Sequence, residues 1–328
     1  MKISVVLCTY NGEKFLQKQI DSILNQTTKI DEIIVCDDCS TDNTLIILEE
    51  YKKNNPDIFQ IHQNEINLKS NKNFEKAITL CNGDYIFLSD QDDIWRNDKV
   101  EKTLSFFSQN KDAEGVFSNA VLIDEKENII LENISLWNSV SFYESEMNKP
   151  IDLFNFLLTI NNFLTGATLC IKKEVKNFCL PFCTSDYIWH DEWLALVMTK
   201  RKTLYYTTDE LLFYRLHNSQ QLGVGDLNKF NEDNKELINE KKNIINSQKP
   251  ESYKDYKFLT SHCYTQYERL KDLKNKYSDN SIVDELFNSV TQVFININLE
   301  MKKKYPLRYF FRKRKNDKKG RMQIHVKY

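Results

Sequence analysis

The stretch Asp84-Tyr85-Ile86-Phe87-Leu88-Ser89-Asp90-Gln91-Asp92-Asp93 runs an apolar strand signal straight into three carboxylates within four residues. Packing that much negative charge at one strand end is costly unless a cation binds there, and oxygen ligands of this kind suit Mg²⁺ or Mn²⁺. An ion held between Asp90 and Asp92 can grip a diphosphate. It would neutralise the charge that develops as a bond to that group breaks. A hydrated acidic turn carries the same letters, so the meaning depends on what the rest of the chain brings to this point.

Stepping along the chain, residues 2–8 form a short β-branched run that reads as a buried strand. Phe15, Leu16, Ile20, Ile23 and Leu24 then recur at helical spacing over 13–25. A second strand is expected at 32–36, a helix at 44–53 capped by Ser40 or Asp42, a third strand at 58–62, a helix at 70–81, and then the strand that delivers Asp90. Strands alternating with helices imply a parallel sheet covered on both faces, and ligands collect beyond the carboxyl ends of such strands. Thr9-Tyr10-Asn11, Asp37-Asp38 and Asp90-Gln91-Asp92-Asp93 each follow one of these strands. They should meet on one edge of the sheet.

Further on, a helix is expected at 99–109 and a strand at 115–123, followed by an excursion at 125–150 that reads as mobile and near an acceptor. Residues 163–171 read as a strand or turn, 188–198 as a helix with a polar start, and 204–207 and 211–214 as two short strands. After Asp226 the pattern is helical and highly charged to about Lys304. The expected organisation is an α/β domain over 1–225, a helical extension over 226–300 and a basic aromatic tail over 301–328.

These residues together resemble glycosyltransferase family 2, inverting enzymes with the GT-A fold. The resemblance rests on Ser4-Val5-Val6-Leu7-Cys8-Thr9-Tyr10-Asn11-Gly12, on Val35 to Thr44, on Gly83-Asp84-Tyr85 with Leu88 to Trp95, and on His190-Asp191-Glu192-Trp193, covering roughly residues 1–220. The Ser-Asp-Gln-Asp-Asp-Ile-Trp form is similar to bacterial transferases for surface polysaccharide, many of them rhamnosyltransferase-like. It implies a GT-A fold, a Rossmann-like, mostly parallel central sheet flanked by helices. It also implies that Thr9, Tyr10 and Asn11 line a nucleotide pocket, that Asp38 hydrogen-bonds a pyrimidine base, and hence that the donor is a UDP- or dTDP-sugar. Asp90 and Asp92 would be the acidic metal pair, with Asp90 also at the nucleotide and Asp93 holding the neighbouring loop or touching the sugar.

Asp191 stands where the family places its general base, which takes the acceptor hydroxyl proton as that oxygen attacks the anomeric carbon. A helix N-cap explains an Asp at this position too. Glu192 replaces an aromatic residue common in relatives, so the two acids could exchange roles, Glu192 otherwise contacting the donor or acceptor sugar. In Tyr214-Arg215-Leu216-His217, Arg215 would reach the diphosphate and His217 would add a metal ligand, or else hydrogen-bond within its loop. Trp95 and Trp193 would stack on sugar, or pack in the core. The acceptor would be a saccharide or lipid-linked saccharide. Within enzymes the rival is a Mg²⁺-dependent sugar-nucleotide pyrophosphorylase, which calls for a Gly-rich basic phosphate loop where this chain has Cys8-Thr9-Tyr10-Asn11-Gly12. A non-catalytic carbohydrate-binding relative is the third reading, and it would need neither Asp191 nor the acidic pair.

Composition narrows the rest. With 41% hydrophobic and 28% charged residues but only 7 Gly and 5 Pro, the 328-residue chain can bury a core and leaves little room for low-complexity linkers. Its net charge of -2 hides an asymmetry, because 12 of the 45 Lys and Arg but one of the 47 Asp and Glu fall in 301–328. With Tyr305, Leu307, Tyr309, Phe310 and Phe311 among those charges, the tail suits an anionic membrane surface, a solvated tail being the alternative. No basic groove or motif for nucleic acid is present. The apolar run behind Lys2 is too short for a secretory leader. A cytoplasmic enzyme is expected, peripheral on the inner face of the plasma membrane, with its 8 cysteines as thiols.

Overall fold

The computed structural model describes residues 1–130, 132, 134–142, 152–218, 220 and 250–318. In chain order its elements are β1 (Ile3–Thr9), α1 (Leu16–Leu24), β2 (Glu32–Asp37), α2 (Thr44–Asn54), β3 (Phe59–Gln63), α3 (Lys69–Leu80), β4 (Tyr85–Ser89), β5 (Ile94–Trp95), α4 (Lys99–Gln109), β6 (Gly115–Ile123) and α5 (Leu136–Ser139). They continue with α6 (Leu153–Thr159), β7 (Leu169–Lys172), α7 (Lys176–Cys179), α8 (His190–Arg201), β8 (Leu204–Arg215), α9 (Tyr253–Lys276), α10 (Ser281–Lys304) and α11 (Pro306–Lys318). Two compact units result. One joins Met1–Phe142 to Phe163–Leu227, and the other joins Tyr143–Asn162 to Asn228–Tyr328.

The first unit is built on an eight-stranded sheet of order β3-β2-β1-β4-β7-β6-β8-β5. From β3 to β4 every pairing is parallel. Beyond β4 the sheet is mixed, with β7 antiparallel to both neighbours, β8 parallel to β6 and β5 antiparallel to β8. The parallel strands are buried on both faces, Val5, Val6 and Leu7 in β1 and Ile33, Ile34 and Val35 in β2, which is why they read as continuous apolar runs. Helix α1 turns Leu16, Ile20 and Ile23 into this core.

Two expectations change and a third resolves into both of its alternatives. The segments 204–207 and 211–214 are one strand, β8, whose register against β6 shifts around Asn119, so the polar residues between them mark an irregularity and not a break. Residues 163–171 split into a 3₁₀ turn at Gly166–Thr168 and strand β7. The excursion expected to be mobile over 125–150 is packed over 135–142: Leu136, Trp137 and Phe142 are buried, Ser135 and Asn138 form a capping box, and the Trp137 indole N–H donates to the Ser118 carbonyl at 3.1 Å. The expected boundary near 225 lies outside the described residues, as do 143–151 and 319–328 of the segments discussed above.

In the second unit α9 and α10 run antiparallel. Tyr264 meets Phe294, Tyr267 meets Phe287, and Lys274 pairs with Asp284 at 2.9 Å. A Ser252–Asp255 capping box starts α9 and the Asn280 side chain starts α10. Within the basic aromatic tail expected over 301–328, residues 306–318 are the helix α11. Among the described residues no helix is long and apolar enough to cross a membrane.

Candidate active site

Parallel pairing sets the carboxyl ends of β2, β1 and β4 side by side, with Thr9 opposite Asp37 and Leu7 opposite Ser89. The loops that follow interlock. The Gln91 amide brackets the Tyr10 backbone, accepting from its N–H at 2.8 Å and donating to its carbonyl at 3.0 Å. Gly12 makes room for this, because a Cβ there would collide with the Gln91 amide. Asn11 has φ 49°, a conformation Asn tolerates better than most residues, and its Oδ1 accepts from the Thr41 N–H at 2.8 Å. Tyr10 and Asn11 are exposed at this edge.

Thr9 is not. Only 2% exposed, its hydroxyl donates to Asp37 at 2.8 Å and its carbonyl accepts from the Asp38 N–H, so it fixes the acidic pair instead of facing a ligand. Asp38 has a structural task of its own. Its carboxylate accepts from the N–H groups of Leu68 and Lys69 at 2.7 and 2.8 Å and from Asn64 Nδ2 at 2.7 Å, which caps the start of α3 from a distance. Oδ1 takes two of these donors and Oδ2 one, leaving accepting capacity on Oδ2.

The acidic loop is the electrostatic centre. Burial, then Asp92 and Asp191, push the Asp90 carboxyl up to about 7. Asp93, buried at 1% exposure, is driven well above the carboxylate range by burial and by Asp92 and Asp90. Its Oδ1 accepts from the Arg215 N–H at 3.0 Å and its Oδ2 has no partner. That corrects the expectation of sugar contact: Asp93 holds the neighbouring loop. Burial and then the charges of Asp93, Asp90, Asp92 and Asp191 together raise the Tyr214 phenol, so all four acids act on one buried group. The Cys8 thiol is raised by burial, Cys36, Asp90 and Asp38, so Asp38 belongs to the same edge.

Arg215 was expected at a diphosphate, and the structure moves it. Fully buried, its Nε donates to the Asp92 carbonyl at 2.7 Å and its Nη1 to the carbonyls of Asp124 and Glu125, while its plane lies over Phe15 at 4.6 Å. It is a strut between two loops. His217 does reach the acids: its Nε2 lies 2.8 Å from Asp92 Oδ2, with the ring against Phe15 at 4.9 Å.

Asp191 occupies the first turn of α8, half-buried. Burial first, then Glu192, raise its carboxyl to about 7, against the pull of N–H donors from Glu192 and Gly166. Glu192 is only 2% exposed, which removes it as a sugar contact and favours Asp191 over it as a base. Trp193 is 1% exposed with its indole N–H donated to the Cys179 carbonyl at 2.8 Å, and Trp95 is 3% exposed between Phe87 and the Lys99 ammonium. Both are core residues, because neither ring has a face left for a sugar.

Two participants were missed. Lys99, 1% exposed, donates to the Ala167 carbonyl at 2.7 Å, and burial lowers it to about 7 against the charges of Asp93 and Asp90. Its place one turn after the acidic loop was the available signal. Phe15 was read only as helix periodicity, yet it is the platform under Arg215 and His217.

A divalent ion fits this chemistry. Asp92 Oδ2 and His217 Nε2, hydrogen-bonded at 2.8 Å, stand at about the spacing of two ligands held at about 2.1 Å on adjacent corners of an octahedron. Among the described residues no three His, Cys, Asp or Glu side chains already enclose a metal position. Such a site would complete its ligand set with phosphate oxygens and water, as Mg²⁺ sites commonly do.

A parallel Rossmann-like half-sheet joined to a mixed half, with acids gathered at the strand ends between them, defines the GT-A class of nucleotide-sugar enzymes. Residues 4–156 match the family model described as glycosyl transferase family 2. The chain is 31% identical to the dTDP-rhamnosyl transferase RfbG of Shigella flexneri, over 66% of this chain and 74% of that one. It is 27% identical to an uncharacterised glycosyltransferase of Nostoc, over 67% and 66% of the two. Among solved structures, S. aureus TarS 1–349 superposes with a TM-score of 0.51 at 16% identity over 99% of this chain and 93% of that one. The mannosyltransferase PcManGT of Pyrobaculum calidifontis, solved with GDP-Man and Mn²⁺, gives 0.51 at 13% identity over 94% and 82%. The chain belongs to glycosyltransferase family 2 and is a glycosyltransferase.

Proposed function

We propose that the chain is an inverting hexosyltransferase that moves a sugar from a UDP- or dTDP-sugar to a saccharide or lipid-linked saccharide in the synthesis of cell-surface polysaccharide. One observation carries this reading: Asp191, a half-buried carboxyl raised to about neutrality, shares its electrostatic field with Asp90, Asp92 and Asp93. A base of that strength accepts a hydroxyl proton near physiological pH and still benefits from holding it. Asp191 takes the proton of the acceptor hydroxyl as that oxygen attacks the anomeric carbon from the face opposite the diphosphate. Asp38 offers Oδ2 to the imide N–H of uracil or thymine, and Tyr10 and Asn11 flank the nucleotide. Mg²⁺ or Mn²⁺, held by Asp92 and His217 with Asp90 close by, would supply charge neutralisation for the departing nucleoside diphosphate.

The likeness to a dTDP-rhamnosyl transferase supports a pyrimidine donor, and PcManGT, solved with Mn²⁺, supports a divalent ion. A station on the inner face of the plasma membrane fits a lipid-linked acceptor. Release of UDP or dTDP from a panel of donors, with Mn²⁺ and with chelator, tests the proposal. Metal-dependent release from dTDP- or UDP-sugars is expected. Release from purine-nucleotide donors alone, or turnover unaffected by chelator, would overturn the donor or the metal assignment.

A further inference from the structure

The basic stretch after residue 300 has an architecture that its letters do not show. Helix α11 is moored by one face. Tyr305, just before it, packs its ring against Tyr253 and Tyr256 and donates its hydroxyl to the Glu251 carbonyl at 3.2 Å. Arg312 reaches the Lys257 carbonyl at 3.4 Å and Ser261 Oγ at 3.5 Å on α9. The partly buried positions, 305, 309, 312 and 316, recur at helical spacing and define this face.

The opposite face carries the apolar residues. Leu307, Phe310 and Phe311 are 74%, 58% and 65% exposed, spaced i, i+3 and i+4, with the two Phe rings 5.8 Å apart. A helix that has already found its packing partner ordinarily turns polar residues outward, so an outward apolar ridge needs another explanation. Around it stand Lys303, Arg308, Lys313, Arg314 and Lys315, all exposed, with Asp317 the lone acid of the helix. Bulky apolar side chains ringed by cations match the boundary between acyl chains and anionic headgroups. A second protein would have to match the same ridge with an acidic rim.

We infer that the outer face of α11 docks on an anionic lipid bilayer, with Leu307, Phe310 and Phe311 entering the headgroup layer and the surrounding Lys and Arg held by lipid phosphates. The inference deepens the peripheral station proposed above and does not depend on the transfer chemistry.

The experiment is co-sedimentation of the full chain, without donor or acceptor, with vesicles of phosphatidylcholine alone or of phosphatidylcholine and phosphatidylglycerol in equal parts. The protein should pellet with the mixed vesicles and not with the neutral ones, and rising salt should release it. L307S/F310S/F311S changes only exposed side chains and should lower partitioning at least about tenfold. K313E/R314E/K315E should lower it about a hundredfold, at roughly fivefold for each basic residue lost. Equal binding to both kinds of vesicle, no binding to either, or a serine variant that binds like the parent would overturn the inference. So would a concentration-dependent dimer in ultracentrifugation that the serine variant abolishes, since the ridge would then join two copies of the chain. Nucleotide release from a soluble acceptor assay should be unchanged in both variants, which separates a failure of docking from a failure of the transferase reading.

Discussion

The two halves of the sheet treat their polar groups differently. In the parallel half, β3 to β4, nearly every polar side chain at the strand ends is engaged: Thr9 on Asp37, Gln91 on the Tyr10 backbone, Asp38 on the start of α3. Where the two halves meet, after β4, and in the mixed half itself the acids are crowded and undercompensated. Asp90 and Asp191 are pushed to about 7, and Asp93 Oδ2 is buried without a partner. One half holds its polar groups in place, and the other leaves negative charge uncompensated. Changes in the first should therefore cost stability, whereas changes in the second should cost turnover.

The largest effect expected is from Asp191→Asn, which should lower kcat by about a thousandfold, within the range for loss of a general base, while donor affinity measured by titration stays close to the parent's. In the parent, kcat should climb with pH up to about 7 and level off above it, since the base must be unprotonated. The stability effect has the opposite sign from an ordinary paired carboxylate. Because the native carboxyl binds its proton more tightly than the unfolded one, the parent loses stability as pH rises from the usual carboxylate range to about 7. Asp191→Asn should melt no lower than the parent at pH 8. A marked drop in its melting temperature would mean that Asp191 is chiefly a helix cap.

Next in size, Asp92→Asn and His217→Ala should each weaken Mn²⁺-dependent donor binding by about 10- to 100-fold, read by calorimetry with and without metal. Undiminished donor affinity of either variant with Mn²⁺ present, or the same loss with and without chelator, would remove that residue from the metal site. Asp38→Ala tests the other half, where a loss of about 1–3 kcal/mol is expected from the stranded N–H groups at α3. Denaturant unfolding of the ligand-free protein reads it directly. An unchanged midpoint would leave Asp38 with a binding role alone. Smallest of all, Trp193→Phe should cost about 1 kcal/mol through the unpaired Cys179 carbonyl and leave KM for donor and acceptor unchanged. A raised KM for either would restore the tryptophan as a sugar platform.

The same contrast explains what could be read from the letters. The parallel strands announce themselves because they are apolar throughout, and their polar clusters must then share an edge, which is where Asp38, Asp90 and Asp92 stand. The mixed half hides its geometry. β8 carries Thr207, Thr208, Asp209 and Glu210 in mid-strand, which mimics a turn, and β5 is too short to leave a periodic signal. Helix α8 is buried continuously from Glu192 to Thr199, so no polar stripe reveals which way Trp193 points. Arg215 has a motif position that suggests an anion, yet its Nε and Nη1 donate to carbonyls at 92, 124 and 125 and its Nη2 lies 3.6 Å from the Glu127 carboxylate, a long-range arrangement that only the folded chain contains. Lys99 was overlooked for a related reason, since a lysine on a charged helix ordinarily faces water.

The bracket that Gln91 forms around Tyr10 makes one loop depend on another far away in the sequence. An added methyl at residue 12 would evict the Gln91 amide and leave the Tyr10 peptide without its two partners, whereas shortening Gln91 would leave the same peptide bare with empty space beside Gly12. Neither position can drift alone. Homologues that lose the glycine should also have traded away the glutamine, so the two columns are expected to change together or not at all.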